Sequence, residues 1–151
     1  MDASMRKPRG HEPLELLIQE AWAARERAYA PYSNFQVGAA LETEDGRIFR
    51  GANIENLSFG LTLCAERTAA AAAILSGRTN FHRLVVVADT TDPISPCGAC
   101  RQFLAEFTPH LQITSATRSG EICTWSLSEL LPRPATGILQ PAPGTTPSSF
   151  P

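Results

Sequence analysis

No stretch of the 151 residues approaches the roughly 20 consecutive apolar residues needed to cross a bilayer, so no membrane span is expected. An excess of positive charge is also missing. The 13 Lys and Arg stand against 15 Asp and Glu, for a formal net charge of -2. That balance leaves no broad basic surface for duplex nucleic acid and makes a small molecule the expected partner. The opening residues, Met1-Asp2-Ala3-Ser4-Met5-Arg6-Lys7, have no apolar core behind their charges, so a secretory signal is not expected and a cytoplasmic location is. There is no internal repeat, and the length is too short for two comfortable domains. A hydrophobic content of 43% is enough to build one real core.

Cysteine is scarce, with four in the chain. In a reducing compartment such cysteines seldom form disulfides, and a Cys-x-x-Cys pair reads as metal-binding or redox-active. The cysteines are therefore candidates for chemistry.

Residues 1–12 are polar and expected to be disordered. The segment 133–151 is expected to be a flexible tail, because the stretch 132–151, with Pro132, Pro134, Pro141, Pro143, Pro147 and Pro151, holds half of the chain's 12 prolines. Between them, 13–132 forms the folded domain. Leu14, Leu17, Ile18, Ala21 and Trp22 recur at helical spacing and predict a helix over 14–28, which Pro31 prevents from continuing. Strands are expected over 35–41 and 47–54, joined by a tight turn at Glu44-Asp45-Gly46. The alanine-rich run 64–76, stopped by Gly77, reads as a buried helix whose small side chains let a sheet approach. The apolar run 84–88 reads as a strand covered on both faces. A helix over 98–107, strands over 111–116 and 121–125, and a short helix capped by Ser126 or Ser128 and running through Leu131 complete the order. The succession α-β-β-α-β-α-β-β-α implies an α/β fold: a mixed five-stranded sheet with helices on both faces, a three-layer α-β-α sandwich.

Two segments carry the chemistry: Cys64-Ala65-Glu66-Arg67 and Pro96-Cys97-Gly98-Ala99-Cys100-Arg101-Gln102. Both fall at expected helix starts, where free backbone N–H groups and the helix dipole favour thiolate over thiol. Cys64, Cys97 and Cys100 would fill three of the four tetrahedral positions of a zinc ion, the number typical of catalytic sites. The Cys-x-x-Cys pair alone also suits a redox pair, half of a structural zinc site, or two ordinary buried cysteines. Cys123 would close the site as a fourth ligand, but its strand context makes it a buried structural cysteine instead. Glu66 stands where it would face the metal's open position and take a proton from water, or serve only as a first-turn charge favoured by the dipole. Three thiolates leave zinc with net negative charge, which Arg67 and Arg101 are placed to offset by hydrogen bonds to sulfur.

Cys-Ala-Glu followed by Pro-Cys-x-x-Cys resembles the zinc-dependent nucleoside and nucleobase deaminases. Ala30-Pro31-Tyr32-Ser33-Asn34-Phe35-Gln36-Val37-Gly38-Ala39-Ala40, Asn53-Ile54-Glu55-Asn56 and Cys64-Ala65-Glu66-Arg67-Thr68-Ala69 look like cytidine deaminase in particular, a resemblance spanning about 14–132. It implies one Zn²⁺ per chain and hydrolytic deamination of cytidine and deoxycytidine to uridine and deoxyuridine in pyrimidine salvage. Water attacks C4 of the pyrimidine while Glu66 carries protons. It further implies that Asn53 and Glu55 bind ribose hydroxyls, that Phe35 packs on the nucleoside, and that Ala65 offers its backbone N–H. A cysteine as first ligand resembles the small homotetrameric, three-cysteine branch. One departure stands out: where the family places a late phenylalanine after Glu129-Leu130-Leu131-Pro132, this chain has Arg133-Pro134-Ala135. The competing readings are a deaminase of another aminated pyrimidine compound of the blasticidin S type and a non-catalytic structural zinc module.

Overall fold

In the computed structural model, which describes residues 10–136, alternation along one central strand divides the core in two. This strand is β3 (Phe81–Ala88). Its Val85 and Val87 pack with Leu17 and Ala21 of helix α1 (Leu14–Arg25). Its Leu84, Val86 and Ala88 point the other way, into a cluster with Ala69 and Ala73 of α2 (Ala65–Leu75) and Leu104 of α3 (Gly98–Ala105). Period-two alternation on a strand covered on both faces produces this arrangement. Each fully buried Val or Leu contributes on the order of 1.5–3 kcal/mol.

The sheet runs in the order β2 (Ile48–Ala52), β1 (Val37–Thr43), β3, β4 (Gln112–Thr117), β5 (Ile122–Ser126). Only the β3–β4 pair is parallel. The mixed five-stranded sheet between helical layers is the expected three-layer sandwich. A short helix α4 (Leu127–Leu130) follows β5, capped by Ser126, whose N–H donates to the Glu129 carboxylate at 2.7 Å.

Two glycines set how closely the helices lie. A β-carbon at Gly51 would overlap the Ala65 carbonyl oxygen and come within 2.5 Å of the Ala69 nitrogen, so α2 rests its first turn directly on β2. At Gly38, on β1, the overlap would be with the Ala21 carbonyl of α1. The Gly51 contact fixes the height of the α2 N-terminus above the sheet, and with it Cys64, Ala65 and Glu66.

Several element ends differ from expectation. Helix α1 stops at Arg25 rather than 28, because the chain then leaves to pair with the segment after β2: Tyr29 N–H donates to the Asn53 carbonyl at 2.9 Å and Glu55 N–H to the Tyr29 carbonyl at 2.8 Å. Strand β1 starts at Val37 rather than 35, since Asn34 sits in the left-handed region at φ 55 and breaks the extended run. Strand β3 begins three residues early, at Phe81. Its polar Arg83 is accommodated by Glu42, a fully buried carboxylate that accepts from Arg83 Nε at 2.8 Å. A single 3-10 turn at Phe59–Leu61 had no counterpart in the sequence reading.

The expectations for the two ends fall largely outside the described residues: disorder over 1–12 cannot be followed before residue 10, nor a flexible tail over 133–151 beyond 136. Within the described part, Glu12 N–H donates to Glu42 Oε1 at 2.6 Å. At the other end, Ala135 and Gln102 of α3 exchange two hydrogen bonds, at 2.8 and 3.1 Å. No helix among the described residues is long and apolar enough to cross a membrane.

Candidate metal centre

Cys64 and Cys97 occupy equivalent places, each the residue just before the first turn of a helix, α2 and α3 respectively. Both have extended backbone and project their sulfur where the helix N–H groups lack intrahelical partners. Cys100 lies one turn into α3 and is fully buried. The sulfurs of Cys64 and Cys97 are 3.7 Å apart, and those of Cys97 and Cys100 are 3.4 Å apart. Zn–S bonds of about 2.3 Å at tetrahedral angles place sulfurs roughly 3.8 Å apart, so this triangle fits zinc with little adjustment. Cys123 does not join the cluster. It lies half-buried on β5, an edge strand with one neighbour, and is more open than the buried structural cysteine expected. Among the described residues the metal group therefore has three ligands and an open fourth position.

The electrostatics match that role. The Cys64 thiol is held down at about 5, chiefly by its hydrogen bond with Cys100 and then by Arg67 and Cys97, against the effect of burial. The Cys100 thiol is pushed upward by the same hydrogen bond and by desolvation. The pair thus holds one proton between two sulfurs, a proton that a divalent cation displaces on binding. Arg67 places Nη2 3.6 Å from the Cys64 sulfur and 3.0 Å from the Thr62 carbonyl oxygen, and its own pKa is raised, first by Cys64. Its Nε is buried with no partner, an unused donor at the edge of the thiolate group. Arg101 does not share this task. It donates to the Pro96 carbonyl at 2.7 Å, the Leu130 carbonyl at 2.8 Å and the Ser95 hydroxyl at 3.0 Å, and so clamps the loop leading into Cys97 rather than its sulfur.

Glu66 sits in the first turn of α2, 5% exposed. Desolvation pushes its carboxyl up to about 6, and the Cys64 charge adds to this, while its own backbone N–H, Cys100 and Arg67 partly offset it. Ala65, also fully buried, contributes a first-turn N–H beside the cluster.

A cleft of about 270 Å³ is lined by Tyr32, Ser33, Glu55, Phe59 and Thr62. Thr62 connects it to the metal group through Arg67. Glu55 is organised by the Tyr32 and Ser33 N–H groups, at 2.8 and 3.2 Å, and by the Ser33 hydroxyl, which is the main reason its carboxyl stays below the usual carboxylate range. Asn53 is buried, and its carboxamide bridges the entry to β1: Nδ2 donates to the Phe35 carbonyl and Oδ1 accepts from Val37 N–H, both at 2.8 Å. Phe35 is 40% exposed. Sequence reasoning gave no role to Ser33, Phe59 or Thr62. The only local signal was a hydroxyl immediately before a left-handed Asn34, which marks a tight turn but not what it holds.

Three thiolates at two helix starts, an open fourth position and a buried carboxylate in the adjoining turn define the class: α/β proteins with a single zinc site of the catalytic type. Residues 11–115 match the family described as the cytidine and deoxycytidylate deaminase zinc-binding region. The chain is 54% identical over 119 residues to a cytidine deaminase of Halalkalibacterium halodurans, covering 78% of this chain and 90% of the relative. It is 50% identical over 120 residues to a cytidine deaminase of Sporosarcina psychrophila, covering 79% and 88%. Among solved structures, the cytidine deaminase of Burkholderia pseudomallei superposes with a TM-score of 0.80 at 47% identity, covering 82% of this chain and all of that one. The chain belongs to the zinc-binding cytidine and deoxycytidylate deaminase family, and zinc is the metal its three cysteines fit.

Proposed function

We propose that this protein hydrolyses cytidine and deoxycytidine to uridine and deoxyuridine with release of ammonia, in cytoplasmic pyrimidine salvage. The observation that carries the reading is Glu66, a buried carboxyl in the first turn of α2 beside three clustered cysteine sulfurs, which Arg67 and Thr62 join to a cleft with a polar end. Bound to Cys64, Cys97 and Cys100, zinc supplies a Lewis acid that makes water nucleophilic near neutral pH.

The rest is assigned to the chain's own residues. Glu66 takes a proton from the attacking water and delivers it to pyrimidine N3. As the water oxygen bonds to C4, Glu66 carries the second water proton to the amino group, and the C4–N bond breaks to give ammonia. One carboxyl serves as base and then as acid, which suits a group whose burial raises its proton affinity toward neutrality. The Ala65 N–H holds the oxygen at C4. Glu55 and Asn53 accept and donate to the ribose hydroxyls, and Phe35 packs against the nucleoside. Glu55 is supported in this by the donors that already fix its carboxylate, and Asn53 keeps one free amide hydrogen and one lone pair beyond its two hydrogen bonds.

Purified, zinc-loaded protein is expected to remove the ultraviolet absorbance of cytidine and deoxycytidine as uridine forms. Turnover of a blasticidin S type compound with none of either nucleoside would reject the assignment. Arg67→Ala is expected to lower kcat/KM by roughly 10–100-fold, because it removes the donor that withdraws charge from the Cys64 sulfur. Unchanged kcat/KM at equal zinc content would remove Arg67 from the account.

We also assign a homotetramer. Leu57, Phe59 and Leu61 are 76, 71 and 65% exposed on one loop at the cleft mouth, an apolar patch of the kind that marks an interface. Light scattering is expected to give four times the 16.3 kDa chain mass; a monomer at micromolar concentration would contradict it.

A further inference from the structure

Among the described residues a second group of metal-donor side chains comes together: His11, Glu44 and His82, whose ligand atoms all lie within 4.8 Å of one another. It stands well apart from the cysteines. His82 is the second residue of β3, whereas Cys97 follows the other end of that strand, and the six residues to Ala88 span about 20 Å. Nothing in the proposed deamination uses it.

The group is assembled by the fold rather than by chance exposure. The pairing of β1 with β3 shifts register between Glu42 and Thr43, and this irregularity carries the chain past His82. Glu44 N–H then donates to the Asn80 carbonyl at 3.1 Å, which holds Glu44 on the strand's flank with Oε1 3.8 Å from His82 Nδ1. His11 arrives from the N-terminal side because Glu12 is held twice, by its N–H on Glu42 Oε1 at 2.6 Å and by Arg83, which donates to its carbonyl. The Glu42 oxygens accept from Glu12 N–H and Arg83 Nε, and the His11 ring lies beside them with Nδ1 3.7 Å from Oε1.

The two imidazoles stack with ring centroids 3.3 Å apart and planes 3° from parallel. Binding requires the exposed His11 ring to turn out of the stack, so that a nitrogen of each ring and a Glu44 oxygen, already within 4.8 Å of one another, face one point. Bonds of about 2.0–2.2 Å at tetrahedral angles place donors roughly 3.4 Å apart, and Glu44 Oε1 and His82 Nδ1, at 3.8 Å, need little movement to reach that. Two imidazoles and a carboxylate select borderline divalent ions, the cobalt, nickel, copper and zinc class, over calcium or magnesium.

We propose that His11, Glu44 and His82 form a second metal site, which takes a divalent transition-metal ion and ties the residues before α1 to the Thr43–Phe81 end of the β1–β3 pair. The remaining positions on the ion are open to water. The site does not depend on the deaminase reading.

Cobalt(II) titrated into zinc-loaded full-length protein provides the test. One further equivalent per chain is expected to bind without the near-ultraviolet sulfur-to-cobalt band that replacement at the cysteines would produce. His82→Asn and His11→Ala are each expected to weaken that binding at least 10-fold, leaving zinc content and cytidine turnover unchanged. Cobalt is also expected to raise the melting temperature of the parent chain and not of His11→Ala. No second equivalent, or binding that survives both substitutions undiminished, overturns the proposal.

Discussion

Glu66→Gln is expected to keep one zinc per chain and an unchanged or slightly higher melting temperature while losing roughly 10²–10⁴-fold in kcat, the range for removal of a general acid–base group. The stability expectation follows from burial. At 5% exposure the carboxylate is desolvated, which is what raises its pKa to about 6, and a neutral amide of the same shape removes that penalty. The kinetic expectation follows from proton traffic: an amide cannot accept the water proton, so neither N3 nor the leaving amino group receives one. KM should change much less than kcat, because the nucleoside contacts proposed for Glu55, Asn53 and Phe35 do not involve Glu66. Full turnover in this variant would end the acid–base assignment.

Cys100→Ala should have the other large effect. Cys100 is fully buried beside Cys97, and its loss leaves two sulfurs that cannot hold zinc against dialysis. Zinc content is expected to fall toward zero and turnover with it. The melting temperature should drop as well, since Cys64 and Cys97, 3.7 Å apart, then face each other without the cation. Cys123→Ser provides the contrast. Its sulfur is outside the cluster and on an edge strand, so zinc content and turnover should match the parent chain. Zinc loss in Cys123→Ser would mean a closed four-cysteine site and a different kind of protein.

Parts of the metal group were legible because they are local, whereas the meeting of Cys64 with Cys97 across 33 residues came with the family resemblance. Cys97 and Cys100 are three residues apart on one helix start, and Glu66 follows Cys64 by two at another, so spacing puts each segment at a helix start without deciding its role. The layers were legible for the same reason, since alternation in Val85, Val86 and Val87 is a property of a single segment. Long-range pairings were not. The end of α1 at Arg25 depends on Tyr29 meeting Asn53, and the start of β3 at Phe81 depends on Arg83 meeting a buried Glu42. Arg101 resembled Arg67 in sequence, each following a motif residue, yet the Leu130 carbonyl draws it away from the sulfurs. Cys123 looked buried because its neighbours are apolar, whereas β5's place at the sheet edge left it half-open. The Ser33 contact with Glu55 spans 22 residues and had no signature in either segment.

The central claim is that water, activated at the three-cysteine site and deprotonated by Glu66, replaces the amino group at C4. Incubating zinc-loaded protein with cytidine in oxygen-labelled water, followed by mass spectrometry of the products, tests this most directly. The account predicts uridine carrying one labelled oxygen and one ammonia released per uridine. Cytidine left intact by protein holding one zinc per chain, or uridine without the label, would contradict it.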